Sequence, residues 1–277
     1  MVLAALDSRI RGLSLRAMAG HVRAERDGAI GWLIFDQIER RNAINSAMWA
    51  AIPAAMAELD GDPEVRIIVL RGAGDVAFVS GADISEFEEA RNADHAAEYA
   101  ALNGRAFAAL AGTAKPVIAM VHGFCVGGGT AIALHADLRY AADDAQFGIP
   151  AARLGLGYEA EGIERLAQLV GPSMAAEMLF TARRYDAEEA LRMGLVNAVV
   201  PKAELESFVH DVAATIAANA PLTLRSAKLV LRELGRSPEL RDTQLVEESI
   251  RICLASADYR EGVQAFLEKR PPKFRGI

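Results

Sequence analysis

The chain has 277 residues, of which 52% are hydrophobic, so it is long enough to bury a large core. Its net charge is −7 at pH 7, and its lysines and arginines are spread through the chain except near the end, which argues against general nucleic-acid binding. The two cysteines, Cys125 and Cys253, are too few for a disulfide framework or a metal cluster, so we expect a reducing, cytoplasmic compartment and no bound metal.

The first 20 residues contain short apolar stretches that are interrupted by arginines, which is unlike a secretory signal peptide. We therefore predict a flexible extension over residues 1–20. In the later sequence no apolar stretch is long enough to span a membrane, so we expect no membrane partner.

Helix and strand patterns alternate between residues 21 and 205, as is typical of a layered α/β fold. Strands are predicted near residues 22–25, 30–35, 67–70, 117–121 and 138–141, with helices near 46–60, 95–111 and 129–136. The pattern then becomes helical, with helices predicted over 205–219, 222–234, 240–256 and 258–268. The apolar faces of these last helices need partners.

The most informative segment is residues 115–129, in which a buried strand runs into three glycines that open a helix. Glycine tolerates positive φ and lets a ligand approach the main chain closely. The N-terminus of the helix that follows has unpaired N–H groups and partial positive charge. The spacing of a dinucleotide site and the lysine of a P-loop are both lacking. The segment predicts an anion site of another kind, with a plain structural turn as the alternative.

A second glycine-marked turn follows the strand predicted over residues 65–71 and leads to a helix predicted to start near Ser85. If the two turns face each other, one N–H from each, at Ala82 and Gly128, can hold a single carbonyl oxygen.

Six motifs stand in order along the chain: Asn42-Ala-Ile-Asn45, Phe78-Val-Ser-Gly-Ala-Asp83-Ile, Lys115-Pro116, His122-Gly-Phe-Cys-Val-Gly-Gly-Gly129, Ala145-Gln-Phe-Gly-Ile-Pro150 and Ala190-Leu-Arg-Met-Gly-Leu-Val196. In this order and at these intervals they resemble the enoyl-CoA hydratase/isomerase family, also called the crotonase superfamily. The likeness runs from about residue 22 to the C-terminus. It implies a crotonase-type α/β spiral of β-β-α repeats over residues 21–205, which carries the CoA site and the active site. A C-terminal helical oligomerisation region over residues 206–277 is implied to form trimers, often paired into hexamers.

The resemblance implies an acyl-CoA substrate whose thioester carbonyl is held by the amides of Ala82 and Gly128. Coenzyme A is then part of the substrate, and no tightly bound cofactor is expected. Each such donor can contribute roughly 3 to 4 kcal/mol to stabilising an enolate. The residues implied to bind CoA are Arg41, Ala43, Ala82, Asp83, Ile84, Lys269, Lys273 and Phe274. For the three C-terminal residues, a place in a neighbouring subunit's site and a solvated tail both stay open.

Two departures from the family pattern bear on the reaction. Members that hydrate conjugated thioesters carry glutamates at the positions matching Ala131 and Ala151, and alanine cannot transfer a proton. Hydration by the two-glutamate route is therefore not expected. Glu159 matches an acidic residue of the family's dienoyl-CoA isomerases, and we expect it to be the acid/base, buried against the acyl chain. The alternative is that Glu159 is a surface residue in the first turn of a helix, where negative charge is favourable. This is the interpretation we favour for Glu161 and Glu164.

Tyr158 and residues 257–270 are similar to the methylmalonyl-CoA decarboxylase branch, in which a tyrosine matches Tyr158. Decarboxylation forms the enolate by loss of CO₂ and needs no base. Against this, Glu159 would repel a substrate carboxylate, and that branch keeps a glutamate at the position of Ala131. A catalytic role for Tyr158 and a role as an aromatic lid both stay open.

Three functions therefore compete. The first is an isomerase or non-standard lyase of an acyl-CoA that uses Glu159. The second is a decarboxylase of a malonyl-type CoA, which an arginine facing a substrate carboxylate would favour. The third is a non-catalytic CoA-binding scaffold, which a solvent-directed Glu159 and misaligned amides would favour.

Overall fold

The computed structural model describes residues 20–86 and 96–277. The extension predicted over residues 1–20 lies, apart from Gly20, outside the described residues. The segment 87–95 lies outside them as well.

Two sheets form the framework of the described residues. The strands are β1 (His21–Asp27), β2 (Ile30–Asp36), β3 (Ile67–Gly72), β4 (Ala77–Val79), β5 (Val117–Val121), β6 (Phe124–Val126), β7 (Leu138–Ala142), β8 (Gln146–Gly148), β9 (Tyr185–Asp186) and β10 (Ala198–Val200). The larger sheet has the order β1-β2-β3-β5-β7-β10 and the smaller one the order β4-β6-β8-β9. In the larger sheet only the β1–β2 pair is antiparallel.

Each turn of the chain places one strand in each sheet. β3, β5 and β7 belong to the larger sheet, and each is followed directly by a short strand of the smaller one. The helices are α1 (Ser46–Gly61), α2 (Ala96–Gly112), α3 (Gly128–Leu134), α4 (Ala160–Val170), α5 (Pro172–Thr181), α6 (Ala187–Arg192), α7 (Leu205–Ala217), α8 (Pro221–Leu234), α9 (Thr243–Ala255) and α10 (Ala257–Glu268). The predicted spiral of β-β-α repeats is confirmed.

The strands β2, β3 and β5 of the larger sheet are buried on both faces. Ile68 and Leu70 of β3 belong to the core cluster that includes α1, α2 and the smaller sheet. Ile67 and Val69 point to the other face, which α7 covers. Successive side chains of a strand alternate between faces, so a strand covered on both sides is a continuous apolar run. This double burial is why the sequence pattern locates β2, β3 and β5 closely.

The C-terminal helices are joined to the larger sheet at the edge where its parallel strands begin. Lys228 of α8 forms an ion pair of 2.8 Å with Asp137 and donates to the carbonyl of Lys115 at 2.8 Å. Arg66, just before β3, donates to the carbonyl of Phe274 at 2.7 Å. The helical region predicted after about residue 205 is thus present. Its first helix, α7, packs on the sheet.

The helices α8 to α10 expose large apolar side chains. Leu231 is 71% exposed, Phe266 82% and Leu267 75%. Clustered apolar surface of this kind is typical of protein interfaces. The trimer or hexamer expected for residues 206–277 stays a prediction.

Within residues 20–86 and 96–277, no helix is both long and apolar enough to cross a membrane. The same residues contain no group of three or more histidine, cysteine, aspartate or glutamate side chains placed to hold a metal ion.

Replacing Gly129 by alanine should destabilise the fold by roughly 1 to 3 kcal/mol, because the added carbon would overlap the carbonyl oxygen of Val79 in β4. The matched control is Gly104→Ala in α2, where a β-carbon would meet no described atom within 4 Å. That change should stabilise by about 0.5 to 1 kcal/mol through helix propensity. Urea unfolding of both variants checks this, and equal effects would contradict the close contact between α3 and β4.

Candidate active site

A cavity of about 310 Å³ lies beside the two glycine turns. Four residues with predicted catalytic roles line it together: Ala82, Gly128, Tyr158 and Glu159. Helices α1 and α2 close it from the other side with Trp49, Asn103 and Phe107, among others. The structure therefore brings the predicted catalytic residues to one place, although they come from three separate segments.

The N–H of Ala82 is directed by a bridge to the loop before α1. Ile44 donates from its N–H to the carbonyl of Gly81 at 2.8 Å and accepts from the N–H of Asp83 at 2.9 Å. In extended backbone, neighbouring residues direct their polar groups to opposite sides. The N–H of Ala82 therefore points away from Ile44.

The N–H of Gly128 belongs to the first turn of α3, where N–H groups have no acceptor in the helix. Neither this N–H nor that of Ala82 has an acceptor among the described residues. The two turns lie close together, since a β-carbon on Gly128 would be 3.7 Å from the nitrogen of Ala82. Two unpaired donors thus stand side by side at the cavity.

Side-chain hydrogen bonds fix both turns. The amide of Asn42 donates to the carbonyls of Ala73 and Ala77 at 2.9 and 2.8 Å, which holds the turn between β3 and β4. Thr130 donates from its hydroxyl to the carbonyls of Cys125 and Gly148 at 2.7 and 3.1 Å, which holds the start of α3 against β6 and β8. Buried hydrogen bonds of this kind resist rotation of the adjacent peptide planes.

Ala131 of α3 and Ala151, in a short 3-10 helix (Pro150–Leu154), both line the cavity. Their methyl groups offer no acid or base to a substrate there. Glu159 is the one acidic residue that the described part of the chain contributes to the lining.

Glu159 stands at the N-cap of α4 and is exposed, so the burial expected for it is not found. The reason is its position, because an N-cap residue lies outside the helix and this one lies at the mouth of the cavity. Its side chain makes no capping hydrogen bond. The carboxylate is therefore available to a ligand at the rim.

The hydroxyl of Tyr158 is buried and has no hydrogen-bond partner within the described part of the chain. Burial, reinforced by the neighbouring charge of Glu159, raises the pKa of this phenol, so it stays protonated. Its ring lies on Gly162 of α4, where a β-carbon would be only 2.8 Å from the ring atom Cε1. Tyr158 thus forms part of the cavity wall with an unused O–H donor.

His135, at the C-terminal end of α3, also lines the cavity, and sequence reasoning passed over it. Its Nδ1 lies 2.7 Å from the carbonyl of Ala131, and its ring stacks on Phe107 with centroids 4.5 Å apart. A carbonyl only accepts, so Nδ1 carries the proton and Nε2 is the acceptor. Its spacing of four residues from Ala131, on the same helix face, was the signal available in the sequence.

Burial lowers the pKa of His135 to about 4, and the carboxylate of Glu161 works against this. Glu161 was interpreted as a surface residue, and its side chain is 58% exposed. Its Oε1 nevertheless lies 3.7 Å from Nε2 of His135, which is beyond hydrogen-bond distance. The imidazole is therefore neutral and has one unpaired nitrogen.

The residues predicted to bind CoA near the first turn lie outside the cavity, apart from Ala82. The guanidinium of Arg41 lies 5.0 Å from the centre of the Phe124 ring, and Ala43 is buried. Ile84 begins a 3-10 helix (Ile84–Glu86) directly after the bridge at Ala82.

Asp83 is also buried, and its carboxylate accepts from Arg40 at 2.7 Å. Burial acts to raise the pKa of Asp83, but hydrogen bonds from Ser85, Gln37 and Arg40 outweigh it, and the pKa lies below its usual value. The side chain thus holds this segment together.

The three C-terminal residues predicted to bind CoA do not line the cavity of their own chain. Lys269 ends α10, Lys273 donates from its N–H to Glu261 at 2.8 Å, and Phe274 is held by Arg66. A role for them in CoA binding stays a prediction, with the site of a neighbouring subunit and a solvated tail as its two alternatives.

Comparison with known proteins gives a consistent result. The sequence model of a family described as enoyl-CoA hydratase/isomerase matches residues 25–276. A short-chain-enoyl-CoA hydratase of Clostridium acetobutylicum is 37% identical over 252 residues, which cover 90% of this chain and 95% of that protein. A carnitinyl-CoA dehydratase of Salmonella enteritidis is 33% identical over 263 residues, which cover 94% of this chain and 100% of that protein.

Solved structures agree. The chain resembles the crystal structure of an enoyl-CoA hydratase/carnithine racemase from Magnetospirillum magneticum with a TM-score of 0.88 and 34% identity, over 92% of this chain and 96% of that one. A structure of a protein from Hyphomonas neptunium, described as an enoyl-CoA hydratase/isomerase family member, gives a TM-score of 0.86 and 37% identity, over 91% and 97%.

The neutral state of His135 predicts a specific dependence of stability on pH. The unfolded side chain takes up a proton near its ordinary pKa of about 6.5, whereas the folded one resists protonation until about pH 4. In this window the unfolded state binds more protons, so stability is lost as the pH falls. Between about pH 7 and pH 4.5, the native chain should lose about 2 kcal/mol more than His135→Phe, whose ring can keep the stack on Phe107.

Urea unfolding at a series of pH values measures this difference, because the other titrating groups are common to both proteins. Parallel stability curves for the two proteins would contradict a buried, neutral His135.

Proposed function

This chain belongs to the enoyl-CoA hydratase/isomerase family, and we propose that it is an acyl-CoA isomerase or non-standard lyase that uses Glu159 as its acid/base. One observation carries the proposal. The unpaired amides of Ala82 and Gly128 stand at a cavity where Glu159 is the one acidic residue among the described lining residues.

The two amides supply the site for the thioester oxygen. When a proton leaves the carbon next to the carbonyl, the oxygen becomes an enolate and gains negative charge. Donors that already face this position need no reorganisation, and each contributes roughly 3 to 4 kcal/mol. Because they belong to the main chain, the side chains around them can differ between relatives that share the device.

Glu159 then moves the proton. Its carboxylate takes the proton from the α-carbon as the C–H electron pair enters the enolate. It returns that proton to another carbon in an isomerisation, or assists a leaving group in a lyase reaction. An acyl group in the cavity covers the rim and excludes water from this carboxylate, which strengthens its interaction with the reacting carbons.

The lining of the cavity favours this function over the alternatives. Ala131 and Ala151 supply no carboxylates, which argues against the hydration chemistry named for the relatives. A malonyl-type substrate would bring a carboxylate close to Glu159, and the described lining residues include no arginine or lysine to balance it.

The test is hydrogen exchange at the α-carbon of acyl-CoAs in deuterated water, followed by mass spectrometry. We expect exchange by the native protein and a loss of about 100-fold or more in Glu159→Gln. Glu164→Gln is the matched control, since Glu164 lies on the helix that Glu159 caps, is exposed and accepts only from Gln168 among the described residues. It should leave exchange unchanged.

Each other outcome selects a different function. Undiminished exchange in Glu159→Gln would reject the role of this carboxylate. Release of CO₂ from a malonyl-type CoA, independent of Glu159, would establish the decarboxylase. If acyl-CoAs bind but none of them shows exchange or turnover, the protein is a non-catalytic CoA-binding scaffold.

A further inference from the structure

A second cavity, of about 200 Å³, lies at the edge of the larger sheet where its parallel strands begin. Its lining includes Arg66, directly before β3, and Lys115, shortly before β5. The glycine turns of the candidate active site follow the opposite ends of these strands. The other walls come from the start of α8, with Pro221 and Arg225, and from Arg275. We call this cavity the basic pocket, after its four cationic residues Arg66, Lys115, Arg225 and Arg275.

The positive charges of the basic pocket are not balanced. No aspartate or glutamate of the described residues lines it. None of its four cationic side chains takes part in an ion pair within residues 20–86 and 96–277. Like charges that are held together repel one another, so an anion placed among them is favourable.

Lys115 is the buried member of this group, with an exposure of only 4%. Its ammonium group donates to the carbonyls of Leu59 and Asp62 at 2.8 and 2.7 Å. An ammonium group has three N–H donors, so one donor of Lys115 has no acceptor among the described residues. A buried charge is costly unless it is paired. The side chain therefore has both the charge and a free donor for an anion in the pocket.

The surroundings of Lys115 show the same imbalance. Burial lowers the pKa of Lys115, and the positive charge of Arg225 lowers it further. The carboxylates of Asp60 and Asp62 act against this change. Neither of them lines the pocket, and the carboxylate of Asp62 is paired with Arg26 at 3.3 Å. An anion in the pocket would supply the negative charge that these carboxylates supply only in part.

The three arginines also have unused donors. Arg66 donates to the carbonyls of Ala217 and Phe274 at 3.2 and 2.7 Å, which occupies two of its five N–H groups. The guanidinium groups of Arg225 and Arg275 make no hydrogen bond to another residue of the described chain. Planar guanidinium groups bind the oxygens of phosphate or carboxylate groups in pairs.

Of these two anions, phosphate suits the pocket better. A carboxylate carries one charge in one plane, whereas a phosphate monoester carries about −1.5 to −2 charges at pH 7 and directs its oxygens to several walls at once. The first turn of α8, which begins at Pro221, adds partial positive charge. A volume of about 200 Å³ exceeds the roughly 30 Å³ share of one water several-fold, so a phosphate group fits.

We propose that the basic pocket is a phosphate-binding site, in which Arg66 and Lys115 at the sheet edge and Arg225 and Arg275 of the C-terminal region hold one phosphate group, either free or part of a phosphate monoester. The bound group links the C-terminal helices to the larger sheet. It therefore stabilises their attachment as well as occupying the pocket. This inference does not depend on the proposed function, since the basic pocket and the candidate active site share no lining residue.

The experiment is a calorimetric titration of the full chain with inorganic phosphate at neutral pH, with the ionic strength held constant by sodium chloride. We expect one site per chain with a Kd on the order of 1 mM or tighter. Phosphate at about 100 times this Kd should raise the Tm by roughly 5 °C or more. Acetate, which has one charge, should bind at least about 10-fold more weakly.

Arg225→Gln and Arg275→Gln remove the charges of two exposed side chains, so both variants should fold. Each should weaken phosphate binding by about 10-fold or more, and the double variant should show no binding and no rise in Tm. Arg232→Gln is the matched control, because Arg232 is an exposed arginine of the same helix and does not line the pocket. It should leave the Kd unchanged, and circular dichroism checks the fold of every variant.

Adenosine monophosphate distinguishes the two sources of phosphate. Binding that is tighter than that of inorganic phosphate, and is lost in the double variant, would assign the pocket to a phosphate monoester. Any other result with this nucleotide, together with phosphate binding that the double variant loses, would assign it to the free ion. Phosphate binding that survives in the double variant, or that does not exceed the binding of acetate, would overturn the site.

Discussion

The site depends on two main-chain N–H groups that the described fold leaves without acceptors. The bridge at Ile44 holds the peptide groups on both sides of Ala82, so its N–H cannot turn without breaking the hydrogen bond from Ile44 to the carbonyl of Gly81. Gly128 is fixed because α3 starts against β4, with Gly129 in close contact with Val79. Orienting these donors is thus achieved by folding, and a substrate does not have to rearrange them.

Main-chain donors separate the stabilisation of charge from the transfer of protons. The positions of Ala131 and Ala151 face the same space as the two amides but contribute only methyl groups. In the proposed reaction the acid or base therefore comes from elsewhere on the wall, where Glu159 is the one acidic residue among the described lining residues. Asn103 of α2 and His135 at the end of α3 line the same cavity.

Sequence reasoning located the strands and helices that are buried on one face or on both faces. Val117–Val121 and Ile67–Leu70 are continuous apolar runs, and the limits of β5 and β3, which contain them, were predicted within two residues. The short strands β4, β6, β8, β9 and β10 were missed, since two or three residues cannot show an alternating pattern. The placement of Ala82, Gly128, Tyr158 and Glu159 at one cavity followed from motifs, whereas the exposure of Glu159 depends on the path of the loop before α4. His135 was missed because a histidine in a helix of small residues shows its cavity contact only after α2 and α3 have packed.

The contact of the Tyr158 ring with Gly162 has a consequence for how this cavity can change in evolution. The ring rests directly on the backbone of α4, because a β-carbon on Gly162 would be only 2.8 Å from its Cε1 atom. A methyl group at position 162 would displace the ring and its hydroxyl into the cavity, while the amides of Ala82 and Gly128 would keep their places. In the proposed acyl-CoA enzyme, position 162 thus bears on the room left for the acyl group although glycine has no side chain.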